Sequence, residues 1–136
     1  MSRRLRWPLL IAIFSVITTA RAEQAFWEQY MDQVRTLRQK GAFAGAEKAA
    51  LAAIAEAQKS GHEDFRLAKS WNNLATIYYD TGRYAEAEKF FELSTHLWER
   101  LYATDSIEAA QGLNNLAVLY VKTSRFKEAE LLLSRA

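Results

Sequence analysis

Asn72-Asn73-Leu74-Ala75 returns as Asn114-Asn115-Leu116-Ala117, 42 positions further on. The likeness runs on downstream. Tyr78, Thr81, Arg83, Glu86, Ala87 and Glu88 recur as Tyr120, Thr123, Arg125, Glu128, Ala129 and Glu130. A fixed period of this size means stacked copies of one supersecondary unit, none of which buries its apolar face alone. A fainter copy lies upstream: Gly41-Ala42-Phe43-Ala44-Gly45-Ala46-Glu47-Lys48-Ala49 matches Gly82 to Phe90 at an offset of 41. Three copies are counted, about the minimum for a stable stack.

Within each copy the apolar spacing is helical. Trp71, Leu74, Ala75 and Tyr78 fall at i, i+3, i+4 and i+7, as do Leu113, Leu116, Ala117 and Tyr120. Each set forms one stripe of an amphipathic helix. A polar break follows, Asp80 to Arg83 and then Lys122 to Arg125, with Gly82 suited to the left-handed residue that closes a helix. Gly41 takes that place in the first copy, and Ser124 takes it in the third at a modest conformational cost.

A second helix then starts in each copy. Its inward faces are expected to be Phe43, Ala46, Ala50 and Ala53, then Tyr84, Ala87, Phe91 and Ser94, then Phe126, Ala129 and Leu133. Asp105, three residues before Glu108, reads as an N-cap with its reciprocal glutamate. The expected helices are near 25–39, 43–59, 64–80, 84–102, 106–122 and 126–136. Ala75 with Ala87, and Ala117 with Ala129, are placed at the helix crossings, where a methyl permits close approach. Trp98 and Tyr102 are assigned to the core between copies rather than to a sugar-stacking platform.

The first 22 residues read as an address. Arg3, Arg4 and Arg6 precede an uncharged, mostly apolar run of 14 residues, Trp7 to Ala20. Ala20-Arg21-Ala22 then places small residues where a signal peptidase reads, leaving Glu23 first. The run is short for a membrane span, which takes about 17–25 residues. Export with cleavage is the leading expectation, and an uncleaved N-terminal anchor or a cytoplasmic chain are the alternatives. Ser2-Arg3-Arg4 is a faint twin-arginine hint.

The division is thus a signal peptide at 1–22 and a repeat domain at 23–136, with copies at about 26–62, 67–104 and 109–136. Without Arg3, Arg4, Arg6 and Arg21 the chain has 14 basic and 16 acidic residues, so its basic pI belongs to the leader and does not argue for nucleic acid. The single proline, Pro8, also lies in the leader. A body without proline, against an average of about 5%, favours an all-helical fold.

Chemistry-bearing motifs are sparse. There is no cysteine, so no disulfide and no thiolate metal site. His62 and His96 lack paired ligand spacing, and no metal or cofactor is expected. The pairs Glu86-Glu88 and Glu128-Glu130 are read as first-turn charges that suit the helix dipole. No phosphate loop or nucleophile motif occurs, so an enzyme is not expected.

These residues resemble tetratricopeptide repeats. The family's order of a large apolar residue, leucine, small residue, tyrosine, glycine, alanine and aromatic is met by Trp71, Leu74, Ala75, Tyr78, Gly82, Ala87 and Phe91. The third copy meets it with Leu113, Leu116, Ala117, Tyr120, Ser124, Ala129 and Leu133, and the first departs with Tyr30, Gln33, Val34, Leu37, Gly41, Ala46 and Ala50. The 42-residue period and the Asn-Asn-Leu-Ala opening are similar to the kinesin-light-chain type of repeat.

The resemblance implies an α–α superhelix whose first helices line a concave groove for a peptide or a partner's helix. In some relatives the second asparagine of the opening pair bonds the ligand backbone, which here implies Asn73 and Asn115. Lys69, Thr76, Tyr79 and Asp80 are expected to share that groove, as are Gln111, Val118, Val121 and Lys122. Asn72 and Asn114 are included, with solvation or a tie between repeats as the other reading.

The function expected is an exported, non-catalytic scaffold, periplasmic or secreted from a bacterium, that binds a protein or peptide. The alternatives are an oligomerising envelope subunit, a membrane-anchored adaptor, or an accessory domain that holds a polymer such as a glycan. The subunit reading uses the end of the stack, where Leu131, Leu132 and Leu133 cluster and Leu131 or Leu132 is expected to be exposed.

Overall fold

A computed structural model describes residues 6–135, with side chains from residue 10 onward. Among the described residues six helices follow one another: α1 (Arg6–Gln39), α2 (Phe43–Gln58), α3 (Phe65–Asp80), α4 (Tyr84–Tyr102), α5 (Ile107–Lys122) and α6 (Phe126–Leu133). There is no strand among the described residues. Each helix packs on its neighbours in chain order, so the pairs α1–α2, α3–α4 and α5–α6 stack as a solenoid.

The turn inside each pair is built the same way. Gly41, Gly82 and Ser124 all have positive φ, at 69°, 76° and 62°. The amide after each donates back five residues: Ala42 to Leu37, Arg83 to Tyr78 and Arg125 to Tyr120, at 2.9, 2.8 and 2.7 Å. This is the Schellman closure, and it recruits a left-handed serine where the third copy lacks glycine.

Between the pairs the first helices are capped by side chains. Asp64 accepts from the Arg66 amide at 2.9 Å. At the head of α5 the cap is Ser106, which accepts from the Ala109 amide at 3.2 Å, rather than the expected Asp105. Ala103 turns the chain through φ 76° after α4, which brings Ser106 to the capping position and leaves Asp105 exposed.

Alanine makes the interior possible. Ala46, Ala49 and Ala50 of α2 are buried with Leu74, Ala75, Ile77 and Tyr78 of α3, Ala87 and Phe91 of α4, and Leu116 and Leu119 of α5. Ala75 and Ala87 have no exposed surface, as expected for the crossing. Ser94 is buried at the same contact, and its hydroxyl donates to the Ala68 carbonyl at 2.7 Å. A second cluster joins Trp27, Ala53, Ala57, Leu67, Ala68 and Leu97.

The two ends of the chain differ from the sequence expectation. Among the described residues α1 is already helical from Arg6, well before the expected start near residue 25. Ala20 and Ala22 lie inside this continuous helix, while Arg3 and Arg4 lie outside the described residues. Leu10, Ile11, Ile13, Phe14, Val16 and Ile17 stand 54–70% exposed. No helix among the described residues is long and apolar enough to cross a membrane.

In α6 the inward residues are Ala129 and Leu132. Phe126 and Leu133, expected inside, are 63% and 52% exposed, and Leu131 is 67% exposed. Gln33, at the leucine position of the first copy, is also exposed. Leu74 and Leu116 pack in the cluster that includes α2 or α4 of the preceding copy, and Gln33 has no such pair beside it among the described residues.

Candidate functional site

The first helix of each pair presents the same register positions to one face. Lys69, Asn72, Asn73, Thr76, Tyr79 and Asp80 of α3 correspond, 41 residues earlier, to Glu28, Met31, Asp32, Arg35, Arg38 and Gln39 of α1. All six of those α1 residues, with Trp27, Lys69 and Asn73, line one cleft of about 540 Å³. Moved 42 residues onward, the same positions are Gln111, Asn114, Asn115, Val118, Val121 and Lys122. Asn114, Val118, Val121 and Lys122 line a smaller hollow of about 250 Å³ with Tyr79, Ala117 and Leu133.

A further cleft, of about 380 Å³, lies between these two. Lys69, Asn72, Asn73 and Gln111 line it, together with Phe65, Trp98, Tyr102, Glu108 and Gly112. Lys69 and Asn73 therefore border both larger clefts. Tyr102 corrects the core assignment made for it, while Trp98 packs against the second cluster as expected. Trp98 is half-buried and Tyr102 is 50% exposed, with ring centres 5.5 Å apart. α4 has 19 residues against 16 in both α3 and α5, so its last turn overhangs the helices it packs on.

The hydrogen bonds separate the asparagines. Asn115 Nδ2 donates to Asn72 Oδ1 at 2.9 Å, tying α5 to α3 across the boundary between copies. Asn73 Nδ2 donates to the Lys69 carbonyl of its own helix at 2.9 Å. Thr76 likewise donates to the Asn72 carbonyl at 2.8 Å. Asn72 and Asn115 thus form the tie between repeats, a role the sequence suggested for Asn72 and Asn114. Asp80 Oδ2 accepts from Arg38 at 2.8 Å, bridging α3 and α1 at the rim of the first cleft. The Lys69 ammonium lies 5.9 Å from the centre of the Trp27 ring.

A second recurrent constellation sits at the turns. Arg83 lies 4.1 Å from the centre of the Tyr78 ring and donates to Glu86 of its own helix and to Glu47 of the preceding copy. Arg125 repeats this with Tyr120, Glu128 and Glu88. These contacts explain why Tyr, Arg and the two glutamates recur together. Glu86 is held below the ordinary carboxylate range by its own backbone amide and then by Arg83, and Glu128 is held low by Arg125. Burial, followed by the neighbouring Glu88 carboxylate, pushes the Tyr120 hydroxyl up to about 12. So the glutamates were not only first-turn charges: Glu47 and Glu88 fasten one copy to the next.

Sequence reasoning did not name the first cleft or the aromatic one. The first was readable by carrying the α3 positions back through the 41-residue offset. The second had no comparable signal, because Phe65, Trp98 and Tyr102 have no aromatic counterparts at the repeat spacing. No group of three or more histidine, cysteine or acidic residues placed to hold a metal occurs among the described residues.

Three comparisons bear on this architecture. A family model described as tetratricopeptide repeat matches residues 66–136. The crystal structure of BtubC (BKLC) from P. vanneervenii is similar, with 27% identity and a TM-score of 0.70 over 79% of this chain. The chain spans 43% of the length of that structure. No curated protein matches the sequence.

Proposed function

The chain belongs to the tetratricopeptide-repeat family, and we propose that it is a non-catalytic scaffold holding a polypeptide along the face of α1, α3 and α5. Repeats of this family generally bind protein partners. The observation that carries the reading is the shared register: equivalent positions of three successive helices line neighbouring clefts that have Lys69 and Asn73 in common. Their lining mixes amides, both charges and apolar surface, which suits a peptide backbone with varied side chains. Photo-crosslinkers placed at Asn73 and Asn114 in the native cell test it. Capture of a discrete partner there, and not from the exposed Lys127 of α6, supports the groove. Equal labelling from all three positions would remove it.

For location we propose export. The uncharged run before Ala20-Arg21-Ala22 supports a leader, and the exposed apolar side chains from Leu10 to Ile17 suit a peptidase or membrane environment. Mass spectrometry of the protein recovered from cells is expected to find Glu23 at the N-terminus. An intact N-terminus in a membrane fraction would instead favour the anchored adaptor. A second reading, self-association, rests on Phe126, Leu131 and Leu133, which α6 leaves in solvent. Sedimentation of Leu131→Glu beside the parent chain tests it, because a dimer made there dissociates on introducing that charge.

A further inference from the structure

The cleft between α3, α4 and α5 has a chemistry its neighbours lack. Three aromatic side chains reach it: Phe65 from the start of α3, and Trp98 and Tyr102 from the end of α4. Phe65 and Tyr102 keep much surface outside the core, 39% and 50% exposed, while the half-buried Trp98 also packs against the second cluster. The rings are nonetheless held in place. Phe65 packs edge-on against Trp27 at 5.6 Å and 82°, and Trp98 and Tyr102 lie 5.5 Å apart at 30°.

Glu108 stands at the same cleft from the first turn of α5. It is half-buried, accepts no side-chain hydrogen bond and enters no ion pair among the described residues. Several acidic groups that face a neighbouring copy are paired, as Glu47, Glu63, Glu88 and Asp80 show. The one cation bordering this cleft, Lys69, carries its ammonium toward Trp27.

We infer that this cleft takes a basic side chain, arginine above all, from the polypeptide held in the groove; the inference rests on the groove reading. Aromatic faces attract a cation, and a flat guanidinium also stacks on them. Glu108 then accepts two parallel N–H bonds, which an ammonium or a neutral amide does not match. Asn72, Asn73 and Gln111 at the rim are placed to meet the peptide backbone on either side. An acidic side chain is excluded by Glu108, and a neutral one leaves its charge uncompensated.

The test uses the isotope-labelled full chain and three ten-residue glycine–serine peptides that differ only at one central residue: arginine, citrulline or norleucine. The readout is the Trp98 indole N–H signal, assigned with Trp98→Phe, beside the side-chain amides of Asn73 and Asn114. The arginine peptide is expected to shift Trp98 saturably and to bind about tenfold more tightly than the citrulline peptide, a difference typical of one charged contact. Glu108→Gln, at a position without a side-chain partner to lose, is expected to erase that difference while moving the melting temperature only as far as the loss of one first-turn charge at the α5 dipole does. Equal binding of arginine and citrulline, or a Trp98 shift given only by a neutral oligosaccharide such as cellohexaose, overturns the inference. If the neutral peptides move Asn73 and Asn114 with no preference for arginine, the basic pocket falls and the groove stands. If no peptide moves any of the three signals, both fall.

Discussion

Arg125 reaches back across a repeat boundary to Glu88 at 2.7 Å, with its guanidinium 4.0 Å from the centre of the Tyr120 ring. Arg83 and Glu47 hold the previous boundary in the same way, at 3.0 Å over Tyr78. Each arginine bonds a glutamate of its own helix as well, so it fastens a turn and a junction together. Apolar burial alone does not fix how far one helix pair slides along the next. A planar donor gripping two carboxylates does. Arg125→Met keeps the stem over Tyr120 and removes both bonds. It is expected to lower the melting temperature, and the gap to the parent chain is expected to narrow in high salt, since the pairs are partly exposed. In a double-mutant cycle with Glu88→Gln the two losses should not add. Strict additivity would show that Arg125 acts within its own copy, on Tyr120 and Glu128, and not across the boundary.

The same junction makes the fold sensitive to alkali. The Tyr120 hydroxyl is pushed up to about 12, chiefly by burial. An unfolded tyrosine ionises near 10. Between those values the folded chain holds a proton that the unfolded chain releases, so stability falls as pH rises. The contribution is whole below about pH 10 and is gone once pH passes about 12. Tyr78 is raised for the same reason, with Glu47 in place of Glu88. Ultraviolet titration is expected to show late phenolate formation, and Tyr120→Phe to flatten the fall in stability over that window. Ionisation of every tyrosine near 10 in the folded chain would contradict this.

Close helix crossing depends on methyl groups. Ala87 has no exposed surface and sits with Ala75, Tyr78 and Phe91. Ala87→Leu adds three carbons with no space to receive them. A loss of about 1–3 kcal/mol is expected, read from the denaturant midpoint. An unchanged midpoint would mean that α3 and α4 do not cross at this alanine.

Periodicity made most of the fold legible. Gly41 and Gly82, with Ser124 in the same slot, marked the turns inside each pair, and all three have positive φ. Where the sequence failed, neighbouring residues offered equal choices. Asp105 and Ser106 are both good caps, and the choice fell to a left-handed Ala103 that no composition rule foresees. Leu131-Leu132-Leu133 is apolar at every position, so it carries no helical phase, and only packing selects Leu132. The groove was half legible. The repeat register supplied the α3 and α5 residues, but the tie between Asn115 and Asn72 depends on how far apart two helices lie. The aromatic cleft depends on the overhang of α4, a length difference with no motif attached.

Gly112 lies at a close approach between α4 and α5. A Cβ there would lie 2.4 Å from Thr95 Oγ1 and 3.0 Å from Thr95 Cβ. Thr95 cannot turn aside freely, because its hydroxyl donates to the Phe91 carbonyl at 2.7 Å and the residue is buried. In an open helix Gly→Ala would add about 0.5–1 kcal/mol of stability. Here Gly112→Ala is expected to destabilise by about 1–3 kcal/mol, since overpacking exceeds that gain. Thr95→Ala in the same chain removes Oγ1 and Cγ2 and should recover part of the loss. A Gly112→Ala chain that melts higher than the parent would show that α5 moves away at little cost.

The two asparagines that family resemblance treats alike are expected to behave differently. Asn115 spends its amide on Asn72 at 2.9 Å, in a half-buried contact between copies. Asn115→Ala leaves the Asn72 oxygen without that donor and is expected to cost about 1 kcal/mol of stability. Asn73 bonds only within its own helix, to the Lys69 carbonyl, so Asn73→Ala is expected to stay within about 0.5 kcal/mol of the parent. Under the groove reading the order reverses for binding. Asn73 borders both larger clefts, and its loss should weaken partner capture in a chain whose melting temperature is unchanged. Measuring thermal midpoint and crosslink yield on both single variants separates the roles. If Asn73→Ala destabilises as much as Asn115→Ala, Asn73 belongs to the framework and the groove loses its central residue.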